Sequence, residues 1–483
     1  MKKIKLRSNF LLNLVICLIS ALLLFFSFPP FNFWYFSFVS FVPIFLISDK
    51  ESFLKIFYGL FSGFIFYSIS LSWLNKVSGP IYLLLALYLS IYWAIFIFFI
   101  FSFNRKKIIF LGACLWVFLE IIMSYLLTGF PWLVIGLSQY KNYYISQIAK
   151  FTGIYGISFI IIASNLFIYS LVKKEFSLQM IFFILLLIFL FSILKFPVKK
   201  EKKGNLEICL IQPNFKISEI DSNENKDAIL SFLDKYTKNK NFDLIVLPEG
   251  TYQNVITEDF ELINKLKEFS KINKTGILIG TFTKQDNNLY NSGVFINNDI
   301  IDVYNKIHLV PYGEFILGER FILIRKIFYK IAGYYPELKP GNNYKTFKYK
   351  NIKFSTLICY ENIFTDMSYN FLKNKTDFFI VITNDSWFGD SFGPYQHFYH
   401  NIFRAIETGR YFLQTGLTGI TGIISPEGKI EKILEKENKQ LFFEGILNFS
   451  LPVEIYETFY SKYGIYPFFL FCLILTGLLI CRN

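Results

Sequence analysis

The chain has 483 residues, of which 53% are hydrophobic, and its 49 Lys and Arg residues against 36 Asp and Glu residues give a net charge of +13. So apolar a composition over this length excludes an ordinary soluble globular protein. The lysines are scattered singly and form no nucleic-acid-binding module. We therefore expect no nucleic-acid partner, and the positive charge favours contact with anionic lipid headgroups at a membrane edge.

The apolar excess lies in residues 1–197 and 464–481. A transmembrane helix needs about 20 mostly apolar residues. On that basis we predict eight spans near residues 8–28, 34–48, 53–74, 80–103, 107–127, 152–172, 176–196 and 464–481. The second is short, which predicts a tilted or partly interfacial segment. The first follows MKKIKLR, which resembles the start of a signal peptide. No small-residue cleavage site follows it, so we predict a retained helix.

Positive charge in the short loops predicts the orientation. With the N-terminus inside, the inside segments 1–7, 49–55, 104–107 and 173–175 all carry Lys or Arg. The lysines of residues 199–203 break this pattern, but they open a large domain, and large domains cross membranes largely regardless of charge. Seven spans then place residues 198–463 outside, and the eighth returns the chain to the inside.

The predicted outside domain alternates short β-like runs with helical patterns. Alternating strands and helices favour a layered α/β domain. Helical spacing of apolar groups covers residues 223–238, 258–272, 362–372 and 394–409. The strand candidates are LEICLIQPN, FDLIVLPEG, TGILIGTFTK, SGVFINNDII, IKFSTLICYE and DFFIVITNDSW.

Three polar residues follow apolar runs in this domain: Glu249 in LPEG, Lys306 in YNKIHLVPYGE and Cys359 in LICYE. A carboxylate can accept a thiol proton as general base, a thiolate attacks acyl carbons, and an ammonium can stabilise the resulting oxyanion. Each residue alone has an ordinary alternative: a core cysteine, a turn glutamate or a solvated lysine. Because the three are far apart in sequence, spacing alone does not predict that they meet.

In their order and sequence, these three blocks resemble the motifs of the nitrilase (carbon–nitrogen hydrolase) superfamily. The resemblance implies an αββα sandwich with Glu249, Lys306 and Cys359 as the catalytic triad. The segments ITNDSWFGD, PYQH and RAIETGR continue the same pattern.

Spans on both sides of such a domain resemble the apolipoprotein N-acyltransferase family, as do FPPFNFWYFS, LLTGFPWLVIGLSQ and GIYGISF. This resemblance implies a polytopic α-helical membrane bundle of about eight spans with a nitrilase-like domain. The expected divisions are residues 1–197 for about seven helices, 204–450 for the catalytic domain and 464–481 for the final helix.

The family resemblance implies transfer of a fatty-acyl chain from a phospholipid, through a thioester on Cys359, to the N-terminal amine of a diacylated apolipoprotein. It implies no cofactor and no metal. It also implies a multi-pass protein of the bacterial cytoplasmic (inner) membrane, with the catalytic domain facing the periplasm or outer side. Two alternatives stay open: a membrane-anchored amidase that transfers the acyl group to water, and a transporter or scaffold with an inactive domain. The intact triad and the scarcity of ionisable residues in the spans favour an enzyme.

Four further site residues come from the same resemblance. Glu314 is expected to orient Lys306 or to assist Glu249, while Tyr360 and Glu361 are expected to shape an acyl pocket. Trp387 matches a family aromatic, although a core tryptophan under a loop explains it equally well.

Two other polar features have weaker functional interpretations. His397 and His400 have the HxxH spacing of a metal site, with Glu407 following, but we favour a structural role because they belong to the nitrilase-like pattern. Glu120 lies within a predicted span, where a charge is costly. The family usually has an arginine three residues later, and Met123 stands there in this chain.

Overall fold

The computed structural model describes residues 2–47, 52–193, 199–215, 222–237, 240–318, 326, 329 and 337–481. The chain forms two compact units. The helical unit comprises Met1–Val198, Phe388–Glu407 and Thr458–Asn483, and the sheet unit comprises Lys199–Trp387 and Thr408–Glu457. Residues 388–407 therefore pack with the helical unit although they lie inside the segment expected to form the catalytic domain.

The helical unit is built from long apolar helices joined by short helical turns. The long helices are α1 (Lys2–Ser27), α2 (Ser52–Ser70), α3 (Tyr82–Ile100), α4 (Ile108–Tyr125), α5 (Ile154–Val172), α6 (Leu178–Ile193), α10 (Gly393–Thr408) and α11 (Tyr466–Cys481). The short α-helices are Val42–Phe45, Asn75–Ser78, Tyr143–Ser146, Ala149–Thr152 and Phe459–Tyr463.

The described part of each predicted span is apolar and mainly helical. Within the described residues, five stretches are long and apolar enough to cross a membrane: Phe10–Ser27, Phe53–Ser70, Ser72–Ile100, Arg105–Thr128 and Ile154–Val172. The three others are shorter apolar stretches, Trp34–Phe45, Leu178–Ser192 and Tyr466–Cys481. The segment predicted to be tilted or interfacial is divided between a 3-10 turn and one turn of α-helix, with no single helix along its length.

Glycine allows α2 and α3 to pack backbone against backbone. A methyl carbon on Gly59 would lie 2.7 Å from the Ala94 Cα, and one on Gly63 would lie 2.9 Å from the Trp93 ring. Inside a bilayer, such close packing replaces the hydrophobic drive that holds soluble helices together.

Glu120 is buried in the helical unit, where its carboxylate is hydrogen-bonded. Its Oε1 accepts the Trp116 indole N–H at 2.9 Å and the Ile135 backbone N–H at 2.7 Å. The carboxylate thus fixes the loop that follows α4, and burial without such partners would be costly. Met123, at the family's arginine position, is also buried, with the Tyr67 hydroxyl 4.0 Å from its sulfur.

The amphipathic helix α10 is held in the helical unit by buried polar contacts. The Arg404 guanidinium and the Glu407 carboxylate, both fully buried, form an ion pair with two N···O distances of 2.8 Å. Glu407 Oε1 also accepts the Ile154 backbone N–H at 2.8 Å. The carboxylate therefore caps the N-terminus of α5, where a negative charge is favourable.

The sheet unit contains two six-stranded sheets. The first has the order β12-β1-β2-β3-β4-β5, and the second has the order β11-β10-β9-β8-β7-β6. The strands are β1 (Lys200–Gln212), β2 (Leu244–Leu247), β3 (Gly276–Gln285), β4 (Asn288–Asn297), β5 (Ile300–Asn305), β6 (Thr346–Tyr349), β7 (Ile352–Ile358), β8 (Phe378–Thr383), β9 (Phe412–Gly416), β10 (Gly422–Ile424), β11 (Ile430–Ile433) and β12 (Gly445–Tyr456).

Three neighbouring strands in each sheet run parallel, namely β1, β2 and β3 in the first and β7, β8 and β9 in the second. The glutamate and cysteine motifs follow the middle strand β2 and the strand β7, and the lysine motif follows the edge strand β5. Five of the six predicted strands are confirmed as β1, β2, β3, β7 and β8, whereas SGVFINNDII, predicted as one strand, is divided by a turn between β4 and β5. The helices α7 (Ser222–Thr237), α8 (Phe260–Asn273) and α9 (Thr365–Leu372) are confirmed. The sequence prediction missed β6 and β9 to β12.

The sheets pack face to face, and helices cover the outer face of the first. Phe295 of β4 meets Phe354 of β7 with ring centroids 5.1 Å apart, edge to face. On the outer face, α7 and α8 join the buried core of β1 to β4 through residues such as Leu233 and Leu266. The predicted nitrilase-like sandwich is thereby confirmed, and the carboxyl ends of β2 and β7 carry the sequence motifs.

Candidate active site

Glu249 lies two residues beyond the fully buried strand β2. Its backbone packs directly on β3, because a methyl carbon on Gly280 would lie 2.4 Å from the Glu249 Cα and 2.5 Å from the Pro248 carbonyl oxygen. Only glycine permits this approach. The Glu249 residue is 9% exposed. Its carboxylate oxygen Oε2 accepts the Asn384 backbone N–H at 2.8 Å.

Lys306 directly follows β5 and is almost completely buried. Its backbone N–H donates to the Asn291 carbonyl at 2.8 Å, which continues the β4–β5 pairing. Its Nζ lies 3.0 Å from Glu314 Oε1 and 3.4 Å from Glu249 Oε1. Burial lowers the pKa of this ammonium, but attraction to Glu314 and Glu249 outweighs burial, so the pKa is raised. Lys306 is therefore a permanent cation in the site.

Cys359 directly follows β7 and starts a 3-10 turn that ends at Ile363. Its φ is +50°, in the left-handed region that non-glycine residues rarely adopt, and such conformations concentrate at functional sites. Burial raises the pKa of the thiol well above its ordinary value, and Glu249 raises it further, while Lys306 acts in the opposite direction. The thiol is thus protonated at rest, so a role as nucleophile would require a base that accepts its proton.

The structure therefore brings the three predicted residues into one site. Glu249 contacts Lys306 directly, and the charges of both act on the Cys359 sulfur. Each residue stands just beyond a strand of a buried sheet, which is the rigid support that a catalytic arrangement requires.

Glu314 contacts Lys306, the residue that it is expected to orient. Its Oε1 accepts from Lys306 Nζ at 3.0 Å and from Asn291 Nδ2 at 2.7 Å, and its Oε2 accepts the Val310 backbone N–H at 2.7 Å. The last bond closes the loop that carries the VPYGE motif.

Both carboxylate oxygens of Glu361 accept hydrogen bonds, and its expected role in an acyl pocket stays a prediction. Its Oε1 accepts the backbone N–H groups of Ile307 at 2.7 Å and His308 at 3.1 Å, together with the Tyr304 hydroxyl at 2.8 Å. Its Oε2 accepts the Ile358 N–H at 2.8 Å. Burial raises the pKa of Glu361 to about 7, against the opposing effect of these donors. The carboxyl group thus ties the cysteine turn to the lysine loop.

The two aromatic candidates differ in exposure. Tyr360 is buried, with its ring 5.1 Å from that of Phe364 in an edge-to-face contact. Trp387 is 58% exposed, so its interpretation as a core tryptophan is wrong. An acyl-pocket or substrate-binding role for either residue stays a prediction.

Two site residues were missed by the sequence prediction, namely Asn291 and Asp385. Asn291 lies within β4 and donates to Glu249 Oε1 and to Glu314 Oε1, each at 2.7 Å. Asp385 is fully buried after β8 and accepts the Thr383 hydroxyl at 2.8 Å. The available signals were weak: an asparagine inside a strand pattern, where asparagine is depleted, and an aspartate at a strand end.

His397 and His400, which have the HxxH spacing, lie in the helical unit. The His397 ring stacks on Trp132 with centroids 5.4 Å apart, and His400 Nε2 lies 3.0 Å from the Trp132 carbonyl oxygen. Glu407 is paired with Arg404. These contacts support structural roles for His400 and Glu407.

Two sheets with a Glu–Lys–Cys site define a carbon–nitrogen hydrolase domain, and the Carbon-nitrogen hydrolase family model matches residues 208–444. A second family model, described as Apolipoprotein N-acyltransferase N-terminal domain, matches residues 20–167. The apolipoprotein N-acyltransferase of Wigglesworthia glossinidia brevipalpis is 33% identical, over 93% of each chain. That of Geobacter metallireducens is 28% identical, over 93% of this chain and 91% of the relative. The chain therefore belongs to the apolipoprotein N-acyltransferase family.

Among solved structures, Saccharomyces cerevisiae Nit3, a member of branch 10 of the nitrilase superfamily, aligns with a TM-score of 0.39 at 18% identity. The alignment covers 53% of this chain and 93% of Nit3.

Proposed function

We propose that this protein transfers a fatty-acyl chain from a phospholipid to the N-terminal amine of a diacylglyceryl-cysteine lipoprotein. The observation that carries the proposal is the buried Glu249–Lys306 contact beside the Cys359 thiol, in a chain that belongs to the apolipoprotein N-acyltransferase family. The site offers a nucleophile, a base and a cation, which is the minimum that acyl transfer requires.

In the first step, Glu249 accepts the thiol proton while Cys359 Sγ attacks the ester carbonyl carbon of the phospholipid. The carbonyl oxygen gains negative charge, which the Lys306 ammonium stabilises. When the tetrahedral intermediate collapses, the C–O ester bond breaks. The lysophospholipid oxygen takes the proton from Glu249, and the acyl group remains as a thioester on Cys359.

In the second step, the lipoprotein amine attacks the thioester carbonyl carbon, and Glu249 accepts one amine proton. Collapse breaks the C–S bond, forms the amide and returns the proton to the thiolate. Lys306 stabilises the oxyanion again. Division of the transfer into two steps replaces one difficult reaction with two easier ones.

The supporting residues receive roles in the same proposal. Glu314 orients Lys306, and Glu361 holds the cysteine turn against the lysine loop. Tyr360 and the exposed indole of Trp387 contact the lipid substrates. An indole combines apolar area with one N–H donor, which suits a boundary between acyl chain and headgroup.

The protein is proposed to lie in the bacterial cytoplasmic (inner) membrane with residues 204–450 on the periplasmic side. The distribution of positive charge among the short loops supports this orientation. The proposed divisions remain residues 1–197 and 464–481 for the membrane helices.

The test is an assay with purified full-length protein, a phospholipid labelled in its acyl chain and a synthetic diacylated lipopeptide. We expect label on the lipopeptide amine and an equal amount of lysophospholipid. Release of free fatty acid at the same rate with and without lipopeptide would instead establish a hydrolase. Transfer by the Cys359→Ala variant at the wild-type rate would exclude the proposed site.

A further inference from the structure

Glu249 and Glu314 share their hydrogen-bond donors in a buried part of the site. Asn291 Nδ2 lies 2.7 Å from Glu249 Oε1 and 2.7 Å from Glu314 Oε1. Lys306 Nζ lies 3.4 Å and 3.0 Å from the same two oxygens. The two amide hydrogens of Asn291 therefore serve one carboxylate each, and the lysine lies between both.

Neighbouring carboxylates repel one another, because a nearby like charge disfavours the charged form. Among the described residues, the Lys306 ammonium contacts both of them. The outer oxygens receive one backbone donor each, from Asn384 to Glu249 and from Val310 to Glu314. Hydrogen bonds to a carboxylate favour its charged form. Among the described residues, Asn291 is the uncharged side chain that donates to both inner oxygens, where repulsion is strongest.

Asn291 is held rigidly for this purpose. It pairs with Phe282 in the β3–β4 ladder, and its carbonyl oxygen accepts the Lys306 N–H at 2.8 Å. The residue is 5% exposed, so water does not readily replace its amide. The same backbone bond couples the positions of Asn291 and Lys306.

We propose that Asn291 is a positioning residue that holds the Glu249 and Glu314 carboxylates in place beside Lys306, so that Glu249 can accept the thiol proton. This inference rests on the proposed role of Glu249 in acyl transfer. Loss of the amide would remove one hydrogen-bond donor from each carboxylate. Because such donors favour the charged form, acceptance of the thiol proton by Glu249 would be hindered most at low pH.

Among the described residues, the charged and titratable groups beside the pair include Lys306 and Cys359, together with Glu361, which acts on Lys306, and Asp385, which acts on Cys359. Lys306 stays a cation across the neutral range because its pKa is raised. Burial raises the pKa of Glu361 to about 7, so this group titrates in the same range as the expected effect. Glu361 is present in all the variants below, so its contribution cancels when their pH profiles are compared.

The test measures single-turnover formation of the acyl adduct on Cys359 from a p-nitrophenyl ester, by intact-protein mass spectrometry between pH 5 and pH 9. Asn291→Ala should move the acidic limb of the pH–rate profile upward by at least about one pH unit and preserve most of the rate at high pH. Asn291→Ser, which keeps one donor, should move the limb by less. Asn291→Ala combined with Glu314→Gln should move the limb back, because one negative charge is removed.

An unchanged limb, or a rate lowered equally at every pH in both Asn291 variants, would overturn the inference and leave a purely structural role. The p-nitrophenyl ester acylates Cys359 without phospholipid, so this assay tests the role of Asn291 alone. The proposed function is tested separately, by transfer from phospholipid to lipopeptide.

Discussion

Gly280 tests whether the exact placement of Glu249 matters, without alteration of any group that reacts. In Gly280→Ala, the new methyl carbon would lie 2.4 Å from the Glu249 Cα and 2.7 Å from its backbone nitrogen. Ordinary contact begins at 3.4 Å, so the backbones of β3 and of the β2 end must separate by about 1.0 Å (3.4 Å minus 2.4 Å). The obstructing atoms belong to the backbone, so a rotamer change cannot relieve the clash.

Misplacement of a catalytic group by about 1 Å can cost roughly 10²-fold in rate. We therefore expect Gly280→Ala to slow acyl-adduct formation on Cys359 by roughly 10²-fold. Overpacking should also lower the free energy of unfolding by about 1–3 kcal/mol. The assay is time-resolved intact-protein mass spectrometry, with thermal unfolding and gel filtration in detergent to verify the fold.

Gly293→Ala is the matched control on the neighbouring strand β4. Its methyl carbon would meet only side-chain atoms, the nearest being Thr356 Cγ2 at 3.0 Å. This variant should show some loss of stability and keep most of the acylation rate. A folded Gly280→Ala protein that acylates at the wild-type rate would refute the argument that this backbone contact positions the base.

Three further predictions concern the triad, the cysteine turn and helix α10. Glu249→Gln and Lys306→Ala should stay folded and still bind phospholipid but form no acyl adduct, whereas adduct formation at the wild-type rate in either variant would contradict its assigned role. Glu361→Gln should lower the free energy of unfolding by about 1–3 kcal/mol, because its amide presents N–H groups to the donor at Ile358. The pKa of Glu361 is raised by burial from 4.5 to about 7. Wild-type stability should thus fall as pH rises through that window, and this dependence should vanish in the variant, as thermal unfolding against pH would reveal. Glu407→Ala leaves the buried Arg404 without its partner and should cost about 3–5 kcal/mol, whereas Glu261→Ala, which breaks an exposed pair with Lys265, should leave the unfolding midpoint unchanged.

Local sequence patterns predicted the elements that have strong signals. Long apolar runs identified the membrane helices. Strands such as LIVL and FFIVIT could be predicted because they are buried on both faces and are therefore continuously apolar. The missed strands β6 and β11, with the sequences TFKY and IEKI, lie at the edges of their sheets and mix charged with apolar residues. Edge strands contact fewer neighbours, and their sequences carry less of the apolar signal.

The triad was accessible because three motif blocks resemble one superfamily, whereas its supporting contacts were not. The roles of Asn291 and Glu361 arise from pairing between segments 15 to 57 residues apart, such as the Tyr304–Glu361 hydrogen bond. The sequence predicted that α10 is an amphipathic helix, but an apolar face does not identify its packing partner. That partner became visible only through contacts such as that between Glu407 and the Ile154 N–H.

The most direct test of the central claim is intact-protein mass spectrometry of the purified protein after incubation with phospholipid alone and then with a diacylated lipopeptide. We predict a mass increase of one fatty-acyl group, localised to Cys359, which disappears when the lipopeptide is added and reappears on its N-terminal amine. An acyl group that reaches the lipopeptide without ever occupying Cys359, or that transfers equally well in the Cys359→Ala variant, would contradict the account.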